Sequence, residues 1–185
     1  TFEAYLARED AQRNDAIRYG LAVAYQESRR YDQAAQLMRE LLKANPGRIT
    51  FQVSLAEVLI SQKRFADARA LMQEALARNP GNYPITSTLA AIEIADGNGA
   101  AAADYLRELT RRLPSQEQLW LRLAEAEGMA RNIVGVHRAR AEYDVLMGDL
   151  KSAQRQLRQA QEKLPAGSAE RQVVSERLGE LTNRL

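Results

Sequence analysis

This sequence predicts an all-α fold: an α-solenoid of helix pairs stacked in a right-handed superhelix, about ten helices in all. Three observations predict it. The first is a repeat: shifted by 34 positions, Leu55 falls on Leu21, Ala56 on Ala22, Phe65 on Tyr31 and Met72 on Met38. The second is punctuation at that interval, with Asn45-Pro46-Gly47, Asn79-Pro80-Gly81 and then Pro114. The third is alanine. Ala22/Ala34, Ala56/Ala68 and Ala90/Ala102 occupy the same two slots, with Leu21, Leu55 and Leu89 alongside. Closely packed helices need small residues at the contact, or their backbones are held apart.

Each element follows from these signals. Residues 1–13 hold Phe2, Tyr5 and Leu6 but no cap, and read as a lead-in or linker before a solenoid over 14–185. Asn14 or Asp15 caps the first helix, which runs to about Arg29. Its partner spans Tyr31 to about Ala44, where the Asn-Pro-Gly stop removes the next ladder donor. The second pair is 49–62 and 65–78; the third is 83–96 and 99–112, with Asp96-Gly97-Asn98-Gly99 between them. The repeats therefore lie near 15–48, 49–82 and 83–116.

Then the spacing breaks. Pro165 follows Pro114 by 51 residues, one period and half of another. The expected arrangement is an extra helix over 117–131, carrying Trp120, Leu123 and Ala124, then a repeat over 134–167. Ala141, Gly148, Ala153, Leu157 and Ala160 set the register of that repeat. A closing helix over 168–185 has Ser168 as cap and Val173, Val174, Leu178 and Leu181 as its apolar stripe. A solenoid needs its open end covered, and such a helix does that.

Composition excludes several classes. Hydrophobic residues at 45% suffice for a core, and 27% charged residues keep the surface polar. Basic and acidic residues, 26 against 24, leave only +2, whereas nucleic-acid binding favours a basic surplus. No cysteine is present, so disulfides and thiolate metal sites are unavailable. No apolar run is long enough to span a membrane. No signal-like stretch is read at the start, and Thr1 in place of methionine suits a processed protein or an excised domain.

Catalytic motifs are missing. The single histidine, His137, stands outside any H-E-x-x-H pattern, and no G-x-S-x-G, phosphate-loop or dinucleotide fingerprint occurs. A histidine holding its neighbours by hydrogen bonds is the expected role, with no metal and no cofactor in this chain. Tyr25 and Leu59 share a repeat slot with Glu93, Glu127 and Asp144. Those carboxylates line a groove wall or pair with Arg122, Arg140 or other arginines; pairing is the common role in helical repeats. Lys151, Arg155 and Arg158 form a stripe without interleaved aromatics, which reads as a solvated face.

A fixed 34-residue period with small residues inside each pair resembles the tetratricopeptide repeat. That resemblance implies that first helices line a concave surface. By register the inward positions include Tyr19, Val23, Val53, Glu57, Ile60, Ser87, Ala91, Ile94, Leu121, Glu125, Arg138 and Glu142. Members that grip a peptide's terminal carboxylate use lysine and asparagine there, so a chaperone-tail clamp is not expected. An apolar strip flanked by acids suits an extended apolar or basic segment, or a neighbouring domain. Packing between adjacent repeats is the competing role for the same positions.

A narrower resemblance rests on two stretches. IRYGLAVAYQESRRYDQAAQLMRELLKANP is similar to the opening repeat in the C-terminal half of periplasmic zinc metallopeptidases of the β-barrel assembly-enhancing protease type (BepA-like). VHRARAEYDVLMGDLKSAQRQLRQAQE resembles the histidine-containing stretch near the end of that half. The specific elements are Arg18–Ala22 and His137–Tyr143. The resemblance implies a non-catalytic, partner-recruiting domain in the periplasm. Its expected partners are its own protease domain, the outer-membrane β-barrel assembly machinery and barrel substrates. Zinc is then expected only in a preceding protease domain, whose H-E-x-x-H this chain lacks. The alternative is a stand-alone scaffold or lipoprotein adaptor for cell-envelope or pilus assembly.

The alanine register generates the first prediction. Ala56→Leu overpacks its helix pair and lowers stability by about 1–3 kcal/mol. A thermal melt of the variant that matches the parent refutes the register.

Overall fold

The computed structural model describes residues 14–183, and the lead-in expected over 1–13 lies outside them. The chain divides into two units, residues 1–96 and 97–185. All ten elements among the described residues are α-helices, with no strand.

The first unit contains five helices: α1 (Asp15–Glu27), α2 (Tyr31–Ala44), α3 (Ile49–Ser61), α4 (Phe65–Arg78) and α5 (Tyr83–Ala95). Consecutive helices pack on one another, and α3 also touches α1 and α5. Asn14 caps α1, its side-chain oxygen accepting from the Ala16 and Ile17 amides at 2.9 and 3.4 Å. Ala22, Ala34, Ala56 and Ala68 are fully buried, together with Met38, Met72 and Val58. With no side chain beyond Cβ at the alanines, long residues from the flanking turns close the core. Both alanine slots of the α3–α4 hairpin are sealed in this way.

The second unit contains α6 (Gly99–Arg112), α7 (Glu117–Met129), α8 (Ile133–Leu146), α9 (Leu150–Glu162) and α10 (Ala169–Thr182). Here too each helix packs on the next. Gly99 allows α7 to approach α6 closely: a Cβ on it would lie 2.6 Å from the Ala130 nitrogen and 2.7 Å from the Ala126 oxygen. Ser168 caps α10, accepting from the Arg171 amide at 3.2 Å. Of the stripe expected on that helix, Val174 and Leu181 are buried with Ala141, Ala153, Leu157 and Ala160, and Leu178 packs against them. Val173 departs from expectation and is 51% exposed. It sits one position before Val174, and a helix turns about 100° per residue, which carries its side chain out of the buried stripe.

The 51-residue interval holds three helices, α7, α8 and α9, between Pro114 and Pro165, but contrary to expectation none of them is an insertion. Instead α7 and α8 make a fourth hairpin in register, and Pro165 falls inside the fifth, between α9 and α10. Counted by first residues, α7 and α8 still fall 34 positions after α5 and α6. The interval changes only beyond Gly148, with α9 beginning one position early and α10 two positions late; Gly148 itself stands where earlier hairpins have Pro46, Pro80 and Pro114. Gly148 ends α8 in the left-handed region, φ 79°, and Asp149 caps α9 through the Ser152 amide at 2.9 Å.

Each hairpin of the first unit turns through one left-handed residue, Arg29 (φ 60°) in the first and Lys63 (φ 58°) in the second. Arg131 (φ 58°) takes the same period position in the second unit. The following amide reaches back to the third-last helical carbonyl, Arg30 to Tyr25 at 2.8 Å and Arg64 to Leu59 at 2.8 Å. These bonds satisfy carbonyls that the helix end would otherwise orphan. They hold a conformation that costs a side-chain-bearing residue about 1–2 kcal/mol. Lys63→Gly is therefore expected to stabilise the chain by about 0.5–1 kcal/mol, less than the full strain because glycine also frees the unfolded chain. An unchanged or lower melting temperature refutes that assignment of strain.

Candidate protein-binding surfaces

In the first unit, the expected groove residues lie at equivalent places on α1, α3 and α5. Tyr19, Val53 and Ser87 share one period position, Val23, Glu57 and Ala91 another, and Ile60 and Ile94 a third. All are half-buried except Glu57, which is exposed. Tyr19 is largely engaged. Its ring meets Phe51 at a centroid distance of 5.4 Å, and its hydroxyl is 2.9 Å from Ser54 Oγ. Packing between first helices thus claims Tyr19, while Val53, Ser87, Ala91 and Ile94 keep part of their surface open. Desolvation raises the Glu57 carboxyl above its ordinary value. Its ionisation therefore carries a stability cost above the raised pKa, and that cost fades as pH falls through it.

In the second unit the expected residues separate. Leu121 and Glu125 are exposed on α7, Leu121 by 46%. Arg138 and Glu142 sit elsewhere, in a groove of about 740 Å³ lined chiefly by α6, α7, α8 and α10, to which Leu121 does not contribute. Arg111, Trp120, Val134 and Val173 line that groove with them. Sequence reasoning named Arg138 and Glu142 but missed the rest of this lining, because its walls come from several helices at unrelated period positions. The adjacent pair Val173-Val174 was an available signal, since neighbouring helical residues point about 100° apart.

The shared carboxylate slot is an ion-pair slot. Glu93 on α5 is 4% exposed and is held by Arg69 of α4, Nε to Oε1 at 2.6 Å and Nη2 to Oε2 at 3.0 Å. Arg69 Nη2 also reaches Asp96 at 2.6 Å. These hydrogen bonds, Glu93 first and Asp96 second, raise the guanidinium above its ordinary value. Glu127 on α7 is 3% exposed and receives Arg107 Nε of α6 at 2.9 Å and Asn132 Nδ2 at 2.8 Å. Gly135 makes room for it: a Cβ there would fall 2.5 Å from Glu127 Cδ. Pairing with Arg122, Arg140 or other arginines is the expected role, and Arg69 and Arg107 fill it here. Asp144, expected in the same slot, falls instead on α8 at the period position of Thr110, because the 34-residue register continues through α7 and α8. It is half-buried, and its carboxyl is raised by desolvation and then by Asp149.

Neither of the remaining features assembles a reactive centre. His137 Nδ1 lies 2.8 Å from Gln156 Oε1, joining α8 to α9. Among the described residues no group of three or more metal-ligating side chains converges. Lys151, Arg155 and Arg158 are all exposed on α9, and Arg155 donates to Ser152 Oγ at 2.7 Å. No helix among the described residues is long and apolar enough to cross a membrane.

Comparisons with known proteins agree on the repeat. Family models described as tetratricopeptide repeat match residues 1–49, 19–83 and 59–127. No curated protein matches the sequence. Solved structures are similar in fold. A tetratricopeptide repeat protein from Parabacteroides merdae ATCC 43184 is 16% identical with a TM-score of 0.63, covering 98% of this chain and 75% of that one. MamA from Desulfovibrio magneticus RS-1 is 10% identical with a TM-score of 0.64, covering 91% and 93%. A thermophilic repeat protein from Thermus thermophilus is 19% identical with a TM-score of 0.56, covering 92% and 100%.

The Arg69–Glu93 pair predicts an asymmetry. Arg69→Ala strands a buried carboxylate and costs about 2–3 kcal/mol, below the fully buried range because part of the guanidinium is solvated. Replacing both partners, Arg69→Met with Glu93→Leu, costs less than the single change. Urea denaturation in which the double variant is the weaker of the two contradicts this.

Proposed function

The chain belongs to the tetratricopeptide-repeat family, and from that premise we propose that it is the partner-recruiting module of a larger periplasmic protein, a zinc metallopeptidase of the BepA-like kind. Repeats of this family serve as scaffolds for protein–protein contact, and the fold is generally non-catalytic. The observation that carries the reading is the open row Val53, Ser87, Ala91 and Ile94 on successive first helices, beside the desolvated Glu57. Apolar side chains at helical-repeat spacing offer pockets to an extended segment. The carboxyl of Glu57 favours a basic group at that segment's edge. The narrower assignment is supported by Arg18–Ala22 and His137–Tyr143, the two elements that resemble that family. On this reading zinc belongs to the preceding protease domain, and this chain presents that domain with outer-membrane β-barrel assembly machinery or misassembled barrels.

Photo-crosslinkers at Tyr19 and Val53 of the parent protein test the proposal. Adducts are expected with the protease domain, the assembly machinery or barrel substrates. Adducts that reach none of these overturn it, as does a lipobox cysteine encoded upstream where a zinc domain is expected.

A further inference from the structure

Four arginines and four carboxylates line the groove of the second unit, but the pairing among them is uneven. Arg107 is occupied by Glu127 and by Asp104 at 2.6 Å, and Arg177 takes both oxygens of Glu142 at 2.9 and 2.7 Å. Arg138 stands one helical turn before Glu142, the spacing at which the two would ordinarily pair. Because Arg177 of α10 holds that carboxylate, Arg138 has no carboxylate partner among the described residues. Arg111 is in the same position: its neighbour Glu108 pairs with Arg112 at 3.5 Å, and Arg111 Nε reaches only the Arg107 carbonyl at 3.3 Å. The one lining carboxylate outside these pairs, Glu170, lies in the first turn of α10, where the helix N-terminus favours a negative charge. Arg111 has the corresponding compensation in the last turn of α6, where the helix C-terminus favours a positive charge, whereas Arg138, mid-helix in α8, has none.

The same lining also carries apolar side chains, Trp120, Val134 and Val173 among them. Trp120 is half-buried with its ring N–H donating to the Pro114 carbonyl at 2.8 Å, and Val173 is the most exposed apolar side chain in the lining. We propose that this groove docks an acidic amphipathic helix of a partner protein, its apolar stripe on Trp120 and Val173 and its carboxylates on Arg111 and Arg138. The surface is separate from the first-helix row proposed above, and the two stand or fall independently. A helix suits the groove because a single stripe with flanking charges meets both features at once. Guanidinium groups with diverted partners supply the complementary sign.

Trp120 is the chain's single tryptophan, so its emission reports on the groove directly. The probe is a synthetic helix of about five turns, with leucine at i, i+3, i+4 and i+7 and glutamate on both flanks. Controls are the same peptide with lysine for glutamate, and citrate as a small polyanion. A saturable emission change with the acidic peptide alone is expected, weakened about tenfold by Arg138→Glu and again by Arg111→Glu. Arg155→Glu on the solvated face serves as the charge control, and circular dichroism checks that each variant keeps its helices. Partial recovery in Arg138→Lys supports the charge assignment. Equal binding of the lysine peptide, indifference to both reversals, or complete displacement by citrate overturns the proposal.

Discussion

How near two helical backbones can come decides most of this architecture. Ala22, Ala34, Ala56 and Ala68 have no exposed surface, and each is a place where any longer side chain would hold the helices apart. Larger residues then pack around the contact instead of within it: Met38, Met72 and Val58 are as deeply buried as the alanines they surround. Gly99 takes the same constraint to its limit, because the neighbouring backbone stands closer than any Cβ permits. Hairpin spacing, and with it the placement of every surface residue discussed, derives from this limit.

Polar groups in the interior obey a second rule. Glu93 and Glu127 share one slot of the repeat, yet their arginines come from positions one helical turn apart on the helix before, Arg69 and Arg107. A long, forked guanidinium reaches the same carboxylate from either position. The slot keeps a charge pair while its partner position drifts. Gly135 and Asn132 complete the second instance, leaving neither carboxylate oxygen of Glu127 unengaged.

Legibility in the sequence followed the range of the interaction. Helix limits were readable because Asn14, Ser168 and the Asn-Pro-Gly stops act within a few residues of themselves. The alanine slots were readable because they recur. The later register was harder, since Gly148 does by left-handed geometry what a proline does in the earlier hairpins, and a search for prolines passes over it. The left-handed basic residues Arg29, Lys63 and Arg131 carry no signal of their own, because the backbone bonds that retain them belong to the folded hairpin. The partners of Glu93 and Glu127 were out of reach for a similar reason: a slot predicts a carboxylate, while its arginine depends on the crossing of two helices. The α6–α8–α10 groove lies furthest from sequence, since it exists only where separate helices leave a gap.

The tight turns after α1 and α3 close over a handful of residues, each with its own backbone hydrogen bonds. A hairpin built this way brings its helices together with little loop entropy to overcome, so contact order stays low. Order can then start at any turn and spread to its neighbours, as in a one-dimensional chain of coupled units. Loss of structure follows the same path backwards: terminal hairpins fray while interior ones, flanked on both sides, exchange their amide hydrogens last.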